Sequence, residues 1–531
     1  MVTAAIQGHN PILYSDFPDP DIIYADGAYY LASTTMHFMP GAVILRSYDL
    51  IQWEIVGHVF NDFADTPAHQ LLGATIYGQG MWAPSLRHHK GLFYLLFAAN
   101  DTRHNYLFTA KNVQGPWTQH VLATSDFYHD PSLFFDDDDR VYVIYGNATI
   151  RLQELTADAT QPKLGGLQRI LIEETAPYNL GYEGSHFYKH AGRYYLFNIH
   201  APKGPTFRRT QVCSIAKALT DDFETRTIVD ADLGFHGSGI AQGGMVATPG
   251  DHFFGFFFQD RGAIGRVPML TPMAFAADGF PVVNQGAEFP AAVSNASLRP
   301  DHRYVPLNQS DDFDYTPPTA LKPCWEFNHH PQIAGWSVTA QPKTLRLTPQ
   351  IVVTGLPWAS NTLTQRTQGP CSAAQVTVDG ARLVTGDFAG LALFQGEFGA
   401  IGLTRDTDGR LSIVMRARTS QTTDLSADSD FLSPGQVLAT LPAASSTVTL
   451  LAVANFTDMA DTCRFYYQEA DQWHVLGPLH HLHFKMDHFT GARFGLFHYA
   501  TERIGGQSDF HQFRYYQPDE TAALIGQLPV I

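Results

Sequence analysis

A five-fold repeat constrains the fold of this 531-residue chain more than any other feature of its sequence. Each copy is a turn residue followed by a short stretch rich in Tyr and Phe, and the turns are 48 to 64 residues apart. That spacing fits a four-stranded propeller blade with loop insertions, so the pattern predicts a five-bladed β-propeller. The five turn residues are Gly27, Gly91, Asp139, Gly192 and Gly250.

One residue ahead of each turn stands at a nearly constant distance from it, and this shared distance is called the phase below. At an offset of eight or nine residues before the turn stand Asp19, Trp82, Asp130, Glu183 and Gln242. In a propeller the first strand of each blade lines the central channel, so equal offsets place these residues at one mouth of it. An Asp before Pro or Ser is by itself most often a turn or cap residue. Five independent turn residues have no reason to keep one offset, and convergent carboxylates are costly unless they serve a purpose.

The predicted set of three carboxylates suits glycoside hydrolysis. That reaction uses two carboxyl groups in different environments, one ionised as base or nucleophile and one protonated as acid. A third carboxylate can orient the acid and adjust its pKa by like-charge proximity. Aromatic residues make up 13% of the chain and charged residues 16%, which weakly favours a neutral, hydroxylated ligand.

The motifs around these residues resemble, in order along the chain, those of glycoside hydrolase family 43. They are Pro18-Asp19-Pro20, Trp82-Ala83-Pro84, His129-Asp130-Pro131-Ser132, Glu183-Gly184-Ser185-His186 and Gly265-Arg266. The resemblance implies a five-bladed propeller and inversion of configuration. It also implies that Asp19 is the general base, Asp130 the pKa modulator and Glu183 the general acid, while Arg266 contacts the sugar. An inverting pair is expected to hold its carboxyl groups about 6.5–9.5 Å apart, which leaves room for the attacking water.

Further pocket residues and metal sites are predicted on the same basis. Trp82 and Phe38 are expected to form apolar walls, because sugars present C–H faces to aromatic rings. Gln242 is expected to contact the substrate or a network in the channel. Phe489 of the C-terminal part is expected to reach the mouth, with core packing as the alternative. Some relatives place a His before the equivalent of Gln242 to hold a channel metal or water network, whereas this chain has Ala241. No cofactor is expected to be required. A structural calcium in the C-terminal domain, with Asp509 as ligand, is an open alternative to an ordinary strand-end role for Asp509.

The C-terminal part resembles the concanavalin-A-like sandwich of the family's β-xylosidases. Alternating strands and the hairpin dipeptides Asp379-Gly380 and Asp408-Gly409 support a β-sandwich of jelly-roll type. The chain is therefore expected to be all-β, with a propeller over residues 1–307, a polar linker over 308–320 and a sandwich over 321–531.

The resemblance implies an exo-acting enzyme that releases xylose from the non-reducing ends of short β-1,4-xylo-oligosaccharides. The alternative is an α-L-arabinofuranosidase, or a bifunctional enzyme, on the same scaffold. Relatives form dimers and tetramers, so a homo-oligomer is expected. The N-terminus lacks a basic and apolar leader, and the four cysteines form no CxxC pair, which predicts a reduced protein in the cytoplasm.

The charge balance argues against other classes of partner. The chain has 34 basic and 51 acidic residues, a net charge of -17, which disfavours nucleic acid and anionic membranes. A retaining β-fructosidase with a related architecture would need a Trp-Met-Asn-Asp-Pro-type start, which Ser15-Asp16-Phe17-Pro18-Asp19 does not supply. A non-catalytic carbohydrate-binding protein is the remaining alternative, although such a protein would be expected to have lost one of the three carboxylates.

Overall fold

A computed structural model describes residues 5–316, 321–420, 422 and 424–529. Strands dominate it, and one α-helix, Pro518–Ile525, lies near the end of the described chain. No helix among the described residues combines the length and the apolar character that a membrane crossing requires. The all-β class predicted from the sequence is confirmed.

Five four-stranded antiparallel sheets follow one another along the N-terminal half. Their strands are β2 (Asp21–Ala25), β3 (Ala28–Ser33), β5 (Gly41–Ser47) and β6 (Glu54–Phe60); β7 (Ser85–His89), β8 (Leu92–Ala99), β9 (His104–Ala110) and β10 (Thr118–Val121); β11 (Ser132–Phe135), β12 (Val141–Tyr145), β13 (Thr149–Leu155) and β14 (Gln168–Glu173); β15 (Tyr178–His190), β16 (Arg193–Pro202), β17 (Thr210–Ala216) and β18 (Glu224–Val229); β19 (Gly243–Thr248), β20 (His252–Asp260), β21 (Arg266–Phe275) and β22 (Pro281–Val283). Outside the blades, β1 (Ala5–His9) pairs with β23 (Ala292–Ala296).

The five sheets close into a propeller. The first strands lie side by side in the cyclic order β2, β7, β11, β15, β19 and back to β2. The predicted turn residues all connect the first strand of a blade to the second, and all five have positive φ, from 65° to 91°. Glycine adopts this conformation without steric cost, and Asp is one of the residues that tolerate it. The predicted five-bladed propeller is confirmed.

The C-terminal half is a two-sheet sandwich with a continuous apolar core. One sheet has the order β32-β31-β30-β29-β37-β27-β24-β4, and the other has the order β25-β26-β38-β28-β33-β34-β35, with β36 beside β34. The bounds are β4 (Phe38–Met39), β24 (Glu326–Asn328), β25 (Trp336–Ser337), β26 (Leu345–Leu347), β27 (Leu363–Arg366), β28 (Cys371–Asp379), β29 (Asp387–Phe394), β30 (Gly399–Arg405), β31 (Leu411–Ala417), β32 (Gln436–Pro442), β33 (Thr447–Asn455), β34 (Thr462–Glu469), β35 (Gln472–Val475), β36 (His480–His481), β37 (Arg493–Ala500) and β38 (Ser508–Tyr516).

The two domains share one sheet. Strand β4 belongs to the propeller half of the sequence, yet it pairs with β24 of the sandwich, with Phe38 opposite Asn328. Beside this junction the buried carboxylate of Glu326 accepts hydrogen bonds from Arg366 and Arg493. The propeller and the sandwich are therefore joined by backbone pairing as well as by side-chain packing.

The segment predicted to be a linker is part of this packing. The backbone of Asp311 pairs with Phe513 of β38, and Phe313 has no exposed surface. The indole of Trp325 donates to the Asp311 carboxylate at 2.9 Å. Residues 308–316 thus lie against the sandwich and do not form a free connector, while residues 317–320 of the predicted linker lie outside the described residues.

Candidate active site

The propeller brings the phased residues together at one end of the ring of first strands. Asp19, Trp82, Asp130 and Gln242 lie just before the first strands of their blades, and Glu183 lies within β15. The backbone register of β15 is irregular on both sides of Glu183. Asp19 and Asp130 both have left-handed backbone conformations, with φ of 52° and 44°. The shared phase in the sequence therefore corresponds to a shared place in the fold.

Asp19 is a buried carboxylate with two donors. Arg266 Nη1 donates to its Oδ1 at 2.9 Å, and the Thr34 hydroxyl donates to its Oδ2 at 2.7 Å. Burial raises the pKa of Asp19, the Arg266 guanidinium offsets part of that rise, and the Asp130 carboxylate adds to it. A buried carboxylate that is paired with Arg and has a raised pKa is suited to act as a general base.

Asp130 and Glu183 both approach Nε2 of the His129 imidazole. His129 Nε2 is 3.2 Å from Glu183 Oε2 and 3.7 Å from Asp130 Oδ2. Burial opposes the charged imidazole, but the Asp130 and Glu183 carboxylates outweigh it and raise the pKa of His129 to about 9. Burial also raises the pKa of Asp130, although the charge of His129 works against that rise. Protonated His129 and Arg266 then face three carboxyl groups, so the cluster is neutral when one carboxyl group holds a proton.

Glu183 has a second polar neighbour on the adjacent blade. The side-chain amide of Asn147, in the loop between β12 and β13, donates to Oε2 of Glu183. The Glu183 backbone carbonyl accepts a hydrogen bond from Asn198 on β16 at 3.2 Å. Within the described part of the chain, no hydrogen bond is made by Oε1 of Glu183, so that oxygen is free to meet a substrate.

Aromatic side chains from both domains border this polar cluster. The Trp82 ring centroid lies 5.7 Å from that of His129 and 6.2 Å from that of Phe489. Phe489 comes from the sandwich, and its ring centroid is 4.4 Å from the guanidinium carbon of Arg266. Gln242 packs against Gly184, where a Cβ atom would lie 2.1 Å from the Gln242 side chain. Gly184 also has a φ of 63°, so a glycine directly after Glu183 suits both the backbone and the place that Gln242 occupies.

Comparison with known proteins settles the family. The family model for glycosyl hydrolases family 43 matches residues 8–281. The chain belongs to glycosyl hydrolase family 43. A second model, the beta-xylosidase C-terminal concanavalin A-like domain, matches residues 310–516.

Individual relatives of this family 43 chain cover both of its domains. A β-xylosidase from Formosa agariphila is 28% identical over 461 residues, which are 76% of this chain and 75% of the relative. A non-reducing end α-L-arabinofuranosidase from Bacteroides ovatus is 27% identical over 356 residues, which are 64% of each protein. The solved structure of a bifunctional GH43-CE from Bacteroides eggerthii is 37% identical with a TM-score of 0.87, and the match covers 96% of this chain. This chain spans 64% of that protein's length.

Phe38 is buried at the junction between the two domains of this family 43 chain. It is 1% exposed, and the guanidinium carbon of Arg493 is 3.5 Å from its ring centroid. Its neighbours in the apolar cluster include Tyr77 and Leu356, which places the ring in the junction between the two domains. The predicted contact of Phe38 with a sugar stays a prediction, and its observed contacts are with the junction.

Asp509 has partners that do not fit a calcium ion. Arg346 donates to both carboxylate oxygens, at 2.8 and 3.0 Å, and Arg382 donates to Oδ2. Although burial opposes ionisation, these guanidinium groups hold the pKa of Asp509 below its ordinary value. A cation at this carboxylate would have to displace two positive charges, so the Arg partners disfavour calcium there, and a calcium ligand at Asp509 stays a prediction.

One cluster of the described residues has three His, Cys, Asp or Glu side chains close enough for a metal. Potential ligand atoms of His129, Asp130 and Glu183 lie within 4.8 Å of one another. Glu183 Oε2 already accepts from Asn147, and Asp130 Oδ2 accepts from the Gly184 backbone at 3.1 Å. These donors favour acid–base chemistry over metal binding. Ala241, directly before Gln242, is fully buried and offers no side-chain ligand.

Three polar residues of the site were missed from the sequence. Thr34 bonds Asp19, while His129 and Asn147 contact Glu183. His129 is adjacent to Asp130, so its position in the repeat could have marked it. Thr34 and Asn147 lie at other positions in their blades, outside the shared phase, and no pattern in one sequence distinguishes them from ordinary loop residues.

Proposed function

We propose that this family 43 chain is an inverting, exo-acting glycosidase that releases xylose from the non-reducing end of short β-1,4-xylo-oligosaccharides. One observation carries the proposal. The site holds two carboxyl groups in different surroundings, Asp19 paired with a buried Arg and Glu183 contacted by an amide and an imidazole. Such a division between a base and an acid is what inverting glycoside hydrolysis requires.

In this proposal Asp19 activates the water. Its carboxylate takes a proton from a water molecule, whose oxygen forms the new bond to the anomeric carbon. Arg266 keeps Asp19 ionised in a buried position, and Thr34 fixes the orientation of its second oxygen. The ring of Phe489 covers the guanidinium, which limits access of bulk water to the ion pair.

Glu183 acts on the leaving group. The bond between the anomeric carbon and the glycosidic oxygen breaks, and the proton of Glu183 passes to that oxygen. Asp130 lies beside this acid, and burial together with the Glu183 carboxylate raises the pKa of Asp130, while His129 works against that rise. After one turnover Asp19 holds a proton and Glu183 has lost one, so exchange with solvent restores the starting state.

The Formosa agariphila relative is named a β-xylosidase, which supports a xyloside as the substrate. An aromatic wall in the site supports exo action. The ring centroids of Trp82 and Phe489 are 6.2 Å apart, so the two rings pack together beside Arg266 as one wall, on which the apolar C–H face of a terminal sugar would lie. The Bacteroides ovatus relative supports the second candidate, an α-L-arabinofuranosidase. A cytoplasmic location and assembly into dimers or tetramers stay predictions.

The test compares 4-nitrophenyl β-D-xylopyranoside with 4-nitrophenyl α-L-arabinofuranoside. The proposal expects release of nitrophenol from the xyloside, with a higher kcat/KM than from the arabinofuranoside. Asp19→Asn and Glu183→Gln should each lower turnover of xylobiose by about 10²–10⁴-fold with the fold retained. A higher kcat/KM on the arabinofuranoside would favour the second candidate. No cleavage of either substrate, together with binding of xylo-oligosaccharides, would indicate a carbohydrate-binding protein.

A further inference from the structure

The two oxygens of the Glu183 carboxyl group have different surroundings. Oε2 is contacted by His129 Nε2, at 3.2 Å, and by the side-chain amide of Asn147. Oε1 makes no hydrogen bond within the described ranges of the chain. A protonated carboxyl group has one oxygen that only accepts hydrogen bonds and one that donates. Two donors on Oε2 make it the accepting oxygen.

The two donors are held by the backbone around them. The His129 carbonyl accepts a hydrogen bond from Gly146 N at 3.0 Å, and Ala148 N donates to the carbonyl of Tyr182 at 2.8 Å. These bonds hold the 146–148 loop against His129, which directly precedes Asp130, and against Tyr182, which directly precedes Glu183. The His129 ring is also in contact with Trp82. The arrangement is therefore built from three blades and does not depend on one mobile side chain.

We propose that His129 and Asn147 are positioning residues that occupy Oε2 of Glu183 and thereby assign the acidic proton to Oε1. This inference rests on the proposed function, because it concerns the acid of that reaction. Oε1 then faces the glycosidic oxygen with its proton already in place. Loss of either donor would let the carboxyl group rotate or hold its proton on the wrong oxygen, which misplaces the reacting atom.

His129 has a second effect through its charge. Its Nε2 is close to both Asp130 and Glu183, and the positive charge of the imidazole works against the rise that burial gives the pKa of Asp130. The other charged groups around this cluster are Asp19, Arg266, Arg103 and the Glu174–His200 pair beside Tyr182. None of them contacts Glu183 Oε2. Removing the imidazole should therefore raise the pKa of Asp130 further, so that the cluster keeps a proton, and the enzyme its activity, to a higher pH.

The test uses two variants that separate charge from hydrogen bonding. His129→Gln keeps an N–H donor but removes the charge, and Asn147→Ala removes a donor at an exposed position without changing charge. His252→Gln is the matched control. His252 is exposed and follows β19, at the end of that strand opposite to Gln242. Each protein is assayed from pH 4 to 10 on xylobiose and on 4-nitrophenyl β-D-xylopyranoside, whose leaving group needs little help from an acid.

His129→Gln is expected to move the alkaline limb of the kcat/KM profile up by about one pH unit. Asn147→Ala is expected to lower kcat on xylobiose by about 10- to 100-fold and to affect the nitrophenyl substrate much less. An unmoved alkaline limb, together with equal losses on the two substrates, would overturn the inference. If His129→Gln does not fold, the substrate comparison for Asn147→Ala decides the outcome alone.

Failure of the proposed function gives a different result. If the wild-type protein cleaves neither xyloside, or if Glu183→Gln retains wild-type activity, the proposed reaction itself is wrong. If the wild type is active and Glu183→Gln is not, while both donor variants behave like His252→Gln, only the assignment of the two oxygens is wrong.

Discussion

Phe489 of the sandwich lies over Arg266 of the propeller, with 4.4 Å between its ring centroid and the guanidinium carbon. The same guanidinium donates to Asp19 at 2.9 Å, and its Nη2 is 3.4 Å from the Phe489 carbonyl. Asp16 strengthens this link, since its two oxygens accept from the backbone N–H groups of Arg266 and Gly491. A sandwich residue thus completes a pocket whose charged groups belong to the propeller.

Replacing Phe489 should weaken substrate binding more than it weakens the fold. Phe489→Ala removes an aromatic wall and exposes the Arg266–Asp19 pair to water, so kcat/KM on xylobiose should fall by about 10- to 100-fold. Steady-state kinetics and a thermal melt measure the two effects. Tyr24→Ala is a suitable control, since Tyr24 is 41% exposed at the other end of β2 from Asp19. Equal kinetics for the two variants would remove Phe489 from the pocket.

Arg266 should control the acidic limb of the pH–rate profile. Arg266→Met leaves Asp19 buried without its cation, so the pKa of Asp19 rises further and the base stays protonated to a higher pH. The acidic limb of kcat/KM is expected to move up by at least about one pH unit, with a loss of about 10²-fold or more at the optimum. Arg303→Met, at an exposed position, should change neither quantity. An acidic limb at the wild-type pH in Arg266→Met would show that Asp19 does not titrate there.

The domain junction should make the protein sensitive to acid. His37, His329 and His488 are buried there, and burial lowers the pKa of His488 to about 3 and those of the other two well below their ordinary values. The unfolded chain takes up protons on these residues below about pH 6.5 while the folded protein does not. Each histidine should therefore lower the free energy of unfolding by up to about 1.4 kcal/mol per pH unit as the pH falls from 6.5 toward 3.

A melting series checks this expectation. The melting temperature should fall steadily between pH 6.5 and 4, and His488→Phe should reduce that slope because Phe cannot be protonated. The Phe ring would keep the stacking on Tyr77, whose centroid is 4.0 Å from that of His488. His69 changes the stability in the opposite direction with pH. Asp101 and Asp62 outweigh its burial and raise its pKa to about 9, so its stabilising contribution is lost as the pH rises toward 9. An identical slope in His488→Phe and the wild type would exclude His488 as a source of the acid sensitivity.

Asp509 should stabilise the sandwich through its two Arg partners and not through calcium. Asp509→Asn leaves two guanidinium groups without their carboxylate and should lower the free energy of unfolding by about 1–3 kcal/mol. Chelation with EDTA should leave the contribution of Asp509 unchanged, so the difference in melting temperature between variant and wild type stays constant. Asp408→Asn, in an exposed hairpin, is the control. A difference in melting temperature between Asp509→Asn and the wild type that appears only with added calcium would show that Asp509 binds calcium.

The repeat predicted the architecture and the convergence of the site because both depend on local periodicity. The turn residues at Gly27 and Asp139 mark hairpins whatever the rest of the chain does, and the residues eight or nine positions earlier must then lie at one end of the ring. Phe489 was expected to reach the mouth of the site, and no periodicity in the sequence supported that expectation.

Contacts between distant segments could not be predicted in this way. Phe38 follows a propeller strand in the sequence, yet it pairs with Asn328 in a sandwich sheet, and nothing near Phe38 in the chain indicates that partner. Asp509 looks like any strand-end carboxylate until Arg346 is placed opposite it across the β26–β38 pairing. Asn147 contacts Glu183 through a loop whose course depends on backbone bonds to His129 of its own blade and to Tyr182 of the next blade.

The anomeric form of the first sugar released tests the central claim most directly. Xylotriose is hydrolysed by the wild-type protein in an NMR tube, and the anomeric protons are followed before mutarotation equilibrates them. An inverting exo-β-xylosidase that uses Asp19 and Glu183 should release α-xylose first, together with xylobiose. Appearance of β-xylose as the first product would contradict the assignment of Asp19 as the base that activates water.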